Sequence, residues 1–523
     1  MGLSTTYTKV ETDFLIQQLE EKTFAKYNDE SNSIPNDIIK FIDINTGENV
    51  NYRETTTWHD GSNMTDGKVD GYFYKKINGR YYKRTKLGTY NIEQFGEIGT
   101  ENDSQVFQLA NDVVSSNGGG IILIPAGTFN CNFIIDSHVS IVGEGSNITT
   151  LKSVSGSNKA VVSSRDFANL VGTAKQNPET RGVRYCQLKG FSVDGNKQNN
   201  SQGNGIEIWG CALKFNDIIS ANCAGHGIVT EYTTHDYPAD NFSATNEALE
   251  SVFDGVKTIA NELNGWDWSG SHDSDLKNYI SFRNKGWALY QHKGSINGYN
   301  WNSWLNSNSF YFSESFTGFN IVASAEYVGT GIEFKEWSSS SKIVGLQVGG
   351  HINGLILRGG NHYISGNVLS CRNNSDLASA TAGDALTMDR LSHSIIEITA
   401  AQNHNVVKIL GSSPYNIIKG TASIQGGKTF SDTEMPFDTT NIVDVIYKSD
   451  SQSAADAKYI RAFSFNKMYK NGWKPEIPDS NNVIVTKDDI ANVGTWGLVQ
   501  AVNTPSANLT AVINALKDAQ IFK

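Results

Sequence analysis

Between Tyr90 and about Ser423, apolar and polar side chains alternate in short runs, and most runs open on a glycine: Gly205-Ile-Glu-Ile-Trp, Gly227-Ile-Val-Thr-Glu, Gly265-Trp-Asp-Trp-Ser, Gly286-Trp-Ala-Leu-Tyr, Gly331-Ile-Glu-Phe-Lys and Gly354-Leu-Ile-Leu-Arg. Alternation with period two predicts strands, and the absence of a sustained 3.6-residue period argues against helices here. The glycines are 22, 38, 21, 45 and 23 residues apart. The interval of 45 divides into two near-equal steps if Ser309-Phe-Tyr-Phe-Ser takes the glycine's place, and the interval of 38 is one step plus an insertion of about sixteen residues. One strand at a fixed phase every ~22 residues predicts a stacked β-solenoid, because a single coil cannot bury its own apolar face. Leucine-rich repeats share a similar period but require a Leu/Asn consensus that this chain lacks.

The flanks read differently. Residues 1–34 hold one amphipathic stretch, Asp13 to Lys26, with Phe14, Leu15, Leu19 and Phe24 near one face. Residues 35–88 predict a small β module, in which Gly71 to Lys76 and Arg80 to Arg84 form a hairpin across Asn78-Gly79. The solenoid is expected over 89–425. A C-terminal cap or oligomerisation region follows at 426–523, ending in a helix over 505–519 with Leu509, Val512, Ile513 and Leu516 on one stripe.

Composition agrees with a β-rich chain: 49 glycines stand against 9 prolines in 523 residues, which suits many tight turns. A net charge of −11 argues against nucleic acid as a partner. It only weakly disfavours an acidic polysaccharide. Cys131, Cys186, Cys211, Cys223 and Cys371 are odd in number and form no CxxC pair, so a set of reduced buried thiols is expected rather than a disulfide frame or zinc site. The N-terminus shows no basic and apolar secretory leader, and no apolar run reaches membrane length, so neither a signal peptide nor membrane insertion is expected.

Four segments carry a resemblance: Tyr90 to Gly96, Asn102-Asp103 to Phe107, Gly118-Gly-Gly-Ile-Ile-Leu-Ile-Pro-Ala-Gly-Thr-Phe129, and Val139-Ser-Ile-Val-Gly-Glu-Gly145. Together they resemble the opening of the pectate-lyase superfamily, with Glu97 in place of the usual Ala and Glu101-Asn102-Asp103 in place of a fuller acidic turn. The resemblance implies an all-β, right-handed, single-stranded parallel β-helix. It does not fix the reaction, since lyases, hydrolases, epimerases and phage tailspikes share that architecture. Thr57 to Tyr72 resembles the segment that precedes such domains in phage tail proteins. This implies a homotrimeric tailspike, made in the host cytoplasm and carried on the virion, whose N-terminal region meets other tail proteins and whose substrate is a bacterial surface polysaccharide.

In the solenoid register the first and third residues of each run face inward, placing Trp266, Trp268 and Trp287 in the core. The second and fourth face outward and supply the candidates. Glu207, Glu231 and Asp267 form a carboxylate-rich end, with Asp273 in the following turn as an alternative. Trp209, Tyr290 and Tyr311 offer aromatic faces to sugar C–H groups, and Glu333, Lys335 and Arg358 offer charge. Glu231 and Asp267 fall on adjacent coils about 4.8 Å apart, and Glu207 and Asp267 two coils or about 10 Å apart, which brackets the carboxylate spacings of retaining and inverting glycosidases. Asp267 with Glu231 is the expected catalytic pair. His272 is a candidate for substrate contact. His272, Asp273 and Asp275 lack the further ligands a metal site needs, so no metal or cofactor is expected. Each carboxylate also has a plain reading as a solvated surface group, and Lys335 and Arg358 have one as ion-pair partners of Glu333. Hydrolysis is the leading expectation, β-elimination the alternative, and a non-catalytic receptor-binding spike the rival.

Overall fold

A computed structural model of the chain describes residues 38–462, apart from 43–48, 168–181, 232–249, 370–383, 432–441, 450–459, shorter breaks at 59–60, 86–87, 271–272, 326–328, 402–404 and 425–427, and four single positions. The helices expected over 13–26 and 505–519, Cys371 and His272 lie outside the described residues.

One coil shows how the sequence makes the solenoid. Strand Trp287–Lys293 lies in a 13-stranded front sheet, and Gly294 turns the chain with φ of 82°. Strand Ile296–Trp304 then crosses an 18-stranded back sheet, bending at Asn300, where φ is 57°. Leu305 and Asn306 return the chain to the front, where Asn308–Phe312 pairs in parallel with Trp287–Lys293. The corner recurs on successive coils at Asp217, Gly255, Asn278, Asn300, Asn320 and Gly345, all with φ between 52° and 72°. Only Gly, Asn and Asp occupy this column, because they reach the left-handed region at least cost. Parallel pairing runs through both large sheets to Ile442–Ser449, which meets Ile460–Ala462 antiparallel. The chain is a parallel β-helix, and its crossover connections favour the right-handed sense.

Inward side chains stack coil on coil. In the front sheet Ile206, Ile228, Trp266, Leu289, Phe310, Ile332, Leu355 and Leu386 occupy successive rungs and are all fully buried. Trp266 and Trp268 meet Phe253 from the back sheet edge-on at 5.0 and 5.3 Å between ring centres. Each large aromatic removes about 150–250 Å² from water, which at about 25 cal/mol per Å² contributes about 4–6 kcal/mol before entropy is counted. Between the sheets runs a polar ladder: the Asn261 amide donates to Asn284 (2.8 Å), and the Asn284 amide to Asn306 (2.8 Å), all three buried.

Helix Ser104–Ser116 packs Phe107, Ala110, Val113 and Val114 into the N-terminal end of this core. Ahead of it, four antiparallel strands form the small sheet, and its hairpin turns through Asn78 and Gly79 with φ of 49° and 79°. Where the small sheet meets the β-helix, Arg84 is 2% exposed with its guanidinium over the Tyr90 ring, and its Nε and Nη2 have no acceptor among the described residues.

Two positions differ from the sequence register. Trp287 does not align with Trp266; Leu289 does, so the register of that coil is displaced by two residues. Ala288 is then fully buried, while Trp287 is only half-buried and lies edge-on to Tyr311 at 5.4 Å. Trp209 is not on the outer surface. It is 1% exposed, on a strand whose next residues, Gly210 and Cys211, pair with the short strand Val183–Arg184.

Candidate active site

The outer face of the front sheet carries one continuous column. Across paired strands it reads Ser163, Glu207, Val229, Asp267, Tyr290, Tyr311, Glu333, Ile356, Thr387. Strand pleating places all of these side chains on one side, one per coil.

Asp267 is the best-connected member. Its Oδ1 is 2.8 Å from His292 Nε2, and its Oδ2 accepts from the Asn264 side-chain amide at 2.8 Å. His226 Nδ1 lies 3.7 Å from the same Oδ2. Burial pushes the Asp267 carboxyl up, but the His292 hydrogen bond, the imidazolium charge and the Asn264 amide outweigh it and hold the group below the usual carboxylate range. His226 adds to this only when it is itself protonated. The His292 imidazolium is raised, first by its hydrogen bond to Asp267; burial opposes this, the charges of Asp267 and Glu231 support it, and Lys335 opposes it. His226 moves the other way: burial lowers it, Asp267 offsets part of the drop, and His292 adds to it.

His292 reaches Asp267 because of a bulge. Trp268 pairs with Gln291 and Ser269 with Lys293, which leaves His292 as one extra residue in its strand. A bulge of this kind re-aims a side chain without ending the sheet. The flanking residues are secured from within: buried Gln291 donates to the Gly294 carbonyl at 2.6 Å and accepts from the Glu314 amide at 3.1 Å. His292 keeps a side-chain exposure of 46% while its ring centre lies 4.6 Å from that of Tyr290.

Tyr290 and Tyr311 stack on each other at 4.3 Å with planes 2° apart. Each therefore spends one ring face on the other, so together they offer hydroxyls and ring edges more than an open platform. Burial, followed by Tyr311 and the carboxylates of Asp267 and Glu333, pushes the Tyr290 hydroxyl up to about 12, so it stays protonated near neutrality. The half-buried Trp287, beside both tyrosines, is an aromatic of the site that strict alternation assigns to the core.

The remaining sequence candidates separate. Glu207 is on the column but bound at both oxygens, by Ser163 Oγ (2.8 Å) and the Asn204 amide (2.9 Å). Glu231 closes strand Ile228–Glu231 on the coil next to Asp267, two residues beyond its rung, and its charge reaches His292. Arg358 donates to Glu333 at 2.6 Å and to Asp389 at 2.8 Å, so it is compensated twice over. Lys335 is exposed. Asp273 lies in the turn leading to the back sheet, with φ of 57° and a hydrogen bond from Ser295 Oγ, away from the column. Among the described residues no group of three or more metal-ligating side chains occurs.

Sequence reasoning missed His226, Asn264 and His292. A signal for Asn264 was present. Asn204-Gly-Ile-Glu207 and Asn264-Gly-Trp-Asp267 repeat one motif, and in both the Asn amide donates to the carboxylate three residues on. His292 lies two residues beyond Tyr290 and so on the outward face by alternation, but it falls past the fourth position of the run, where the outward candidates end.

No family model matches the chain. The mannuronan C5-epimerases AlgE2 and AlgE5 of Azotobacter vinelandii are each 25% identical over an alignment covering 39% of this chain and 23% of their own length. The chain thus spans about a quarter of the length of these curated relatives. Among solved structures, the A-module of A. vinelandii mannuronan C-5 epimerase AlgE4 has a TM-score of 0.42 at 14% identity, covering 69% of this chain and 95% of that one. Tailspike gp49 of Acinetobacter baumannii bacteriophage Fri1, a capsular polysaccharide depolymerase, has a TM-score of 0.42 at 12% identity, covering 84% and 76%. Tailspike protein 2 of Escherichia coli O157:H7 bacteriophage CAB120 has a TM-score of 0.43 at 11% identity, covering 89% and 55%. None of these shares enough sequence to carry a site residue across.

Proposed function

We propose that the chain is a polysaccharide-modifying β-helix protein acting on a bacterial surface glycan, with His292 as its proton-transfer group. The observation that carries this reading is the 2.8 Å contact between Asp267 Oδ1 and His292 Nε2. A carboxylate on one imidazole nitrogen orients the ring, fixes its proton on that nitrogen and stabilises the imidazolium once it forms. Nδ1 is then a base on a half-exposed side chain. Asp267 itself, engaged at both oxygens and held ionised, suits this orienting role better than that of a general acid.

In this mechanism His292 Nδ1 removes the proton from the sugar carbon beside a carboxylate. The electron pair left behind either expels the glycosidic oxygen across the new double bond, with Tyr290 protonating that oxygen, or takes a proton back on the opposite face. The first outcome is a lyase reaction, the second an epimerisation. Lys335 pairs with the sugar carboxylate in this reading, supported by its exposure and by its charge acting on His292. The sequence likeness to mannuronan C5-epimerases supports proton transfer at a uronate carbon. Hydrolysis by paired carboxylates is a second reading, supported by Glu207 and Asp267 sharing one column two rungs apart and by Glu231 on the coil beside Asp267. A phage-tail location, contact of the N-terminal region with tail proteins, and a homotrimer belong to the same proposal, supported by the resemblance of segment 57–72.

The test is incubation with a panel of bacterial surface polysaccharides, polymannuronate included, in deuterated water. Proton-transfer chemistry predicts either ultraviolet absorbance from an unsaturated product, whose reacting carbon carries no hydrogen, or inverted sugar signals with deuterium at the reacting carbon; both are abolished in His292→Gln. New reducing ends without deuterium or absorbance would establish hydrolysis instead. Glycan binding with no product at all would leave a receptor-binding protein.

A further inference from the structure

Two imidazoles flank Asp267, and the hydrogen bonds around them are not equivalent. His292 approaches Oδ1 through Nε2 and so meets the carboxylate as a donor. His226 turns Nδ1 toward Oδ2, at 3.7 Å, which is too long for a hydrogen bond. That Nδ1 instead accepts the backbone N–H of Asn264 at 3.2 Å. An imidazole nitrogen that accepts a hydrogen bond carries no proton, so the His226 proton sits on Nε2. The backbone on both sides is fixed. The His226 N–H donates to the Asn204 side chain at 2.9 Å, the Asn264 amide grips Asp267, and Asn264 Oδ1 accepts the Trp287 N–H at 2.9 Å. The Nε2–H has no acceptor among the described residues, and the side chain is 23% exposed.

We propose that His226 is a neutral hydrogen-bond donor to the substrate, presented through Nε2–H, and that Asn264 is the positioning residue that makes it one. The inference rests on the proton-transfer reading of the site. Protonating Nδ1 would forfeit the bond from Asn264 N–H, so the ring is held against becoming a second base; Asp267 and His292 are the charged groups that face it. Its task is the complement of His292's. As His292 removes the proton, negative charge develops on the sugar carboxylate, and a fixed neutral N–H stabilises that charge without surrendering its own proton. Asp267 thus organises the base, and the backbone N–H of Asn264 fixes the donor beside it.

The assignment is tested by ¹⁵N NMR of the full chain with labelled histidine, using His226→Gln and His292→Gln to identify the signals. His226 is expected to stay neutral with its proton on Nε2 while His292 titrates above its ordinary value. A proton on Nδ1, or a His226 that titrates together with or above His292, overturns the proposal. This arm needs no substrate, so a failure here is distinct from failure of the proposed function, which the polysaccharide panel decides. On an active substrate, His226→Gln, which keeps a neutral donor near Nε2, is expected to retain activity within about tenfold of the parent, while His226→Ala loses about 10²-fold. Both should leave the acid limb of the pH profile in place, because that limb belongs to His292. A Gln variant as inactive as the Ala variant, or a displaced limb, overturns the donor role. Should His226→Ala not fold, the Gln variant and the parent's own spectra still decide it.

Discussion

At the scale of single residues, the decisive interaction is the one between Asp267 and His292, and its pH dependence has a definite sign. A base must be neutral to act, so kcat/KM on an active glycan is expected to rise through the His292 pKa, which lies above the ordinary value because of Asp267. Asp267→Asn removes the first cause of that elevation, so the acid limb should move to lower pH while the maximal rate falls; a limb that stays put would detach the two residues. Stability follows linkage in the opposite sense. A raised imidazolium contributes stability that is fully present below the unfolded value of about 6.5 and is lost as pH rises through the folded value. Urea denaturation should therefore show a parent-minus-His292→Gln difference that shrinks on going from pH 5.5 to 9. Asp267, whose carboxyl is depressed, gives up its contribution only when pH falls through its own lowered value. Of these residues Asp267 was legible in the sequence, because alternation put it outward between two inward tryptophans. His292 was not, because it lies beyond the four-residue run from which outward positions are counted, although it keeps the outward phase of Tyr290.

At the scale of the element, the coil was readable because its determinants are local. Glycine-led runs give the front strands, and the Asn, Asp and Gly of the corner column mark where the back strands bend. What the pattern left open was how far one coil slides against the next. At Trp287 a two-residue displacement preserves the alternation while changing each neighbour, so alternation alone does not detect it, and Trp287 ends beside Tyr290 and Tyr311 instead of in the core. Trp209 differs in another way: a segment from earlier in the chain pairs with the end of its strand, and that strand carries no mark of the added neighbour. The Asn261–Asn284–Asn306 ladder allows a quantitative check. Asn284→Ala removes the acceptor of both the Asn261 backbone N–H and the Asn261 amide in a buried site, while Asn306 Oδ1 keeps the Asn284 backbone N–H, and each unsatisfied group costs about 1–3 kcal/mol. A loss of about 3 kcal/mol or more is expected in urea titrations. Asn300→Gly at the exposed corner should change stability by less than about 1 kcal/mol, since glycine accepts φ of 57° freely. Equal losses at the two positions would contradict this account of the turns.

At the scale of the whole molecule, strand pairing joins residues about one coil apart, so the β-helix builds from near-neighbour contacts and can grow coil by coil. The join between the small sheet and the first coil holds a buried charge. Arg84 is buried there over the Tyr90 ring, with Nε and Nη2 lacking an acceptor among the described residues, and a buried cation without a partner is a liability. Arg84→Met, close in volume and apolar, is expected to hold or raise stability by about 1–2 kcal/mol. A clear loss would mean that the guanidinium–ring contact outweighs its desolvation.

The pairing of Asn264 with Gly265 also gives the site a chemical clock. An Asn followed by Gly is prone to attack on its side-chain amide by the next backbone nitrogen, which yields a cyclic imide and then Asp or isoAsp. In the folded chain that nitrogen is engaged, since the Gly265 N–H donates to the Trp287 carbonyl at 2.8 Å, and the Asn264 amide is bound to Asp267. Ageing at this position is therefore coupled to opening of the coil. A molecule that has spent time open would carry a new carboxylate beside Asp267 and a mass one unit higher, leaving a covalent record of local unfolding at the candidate active site.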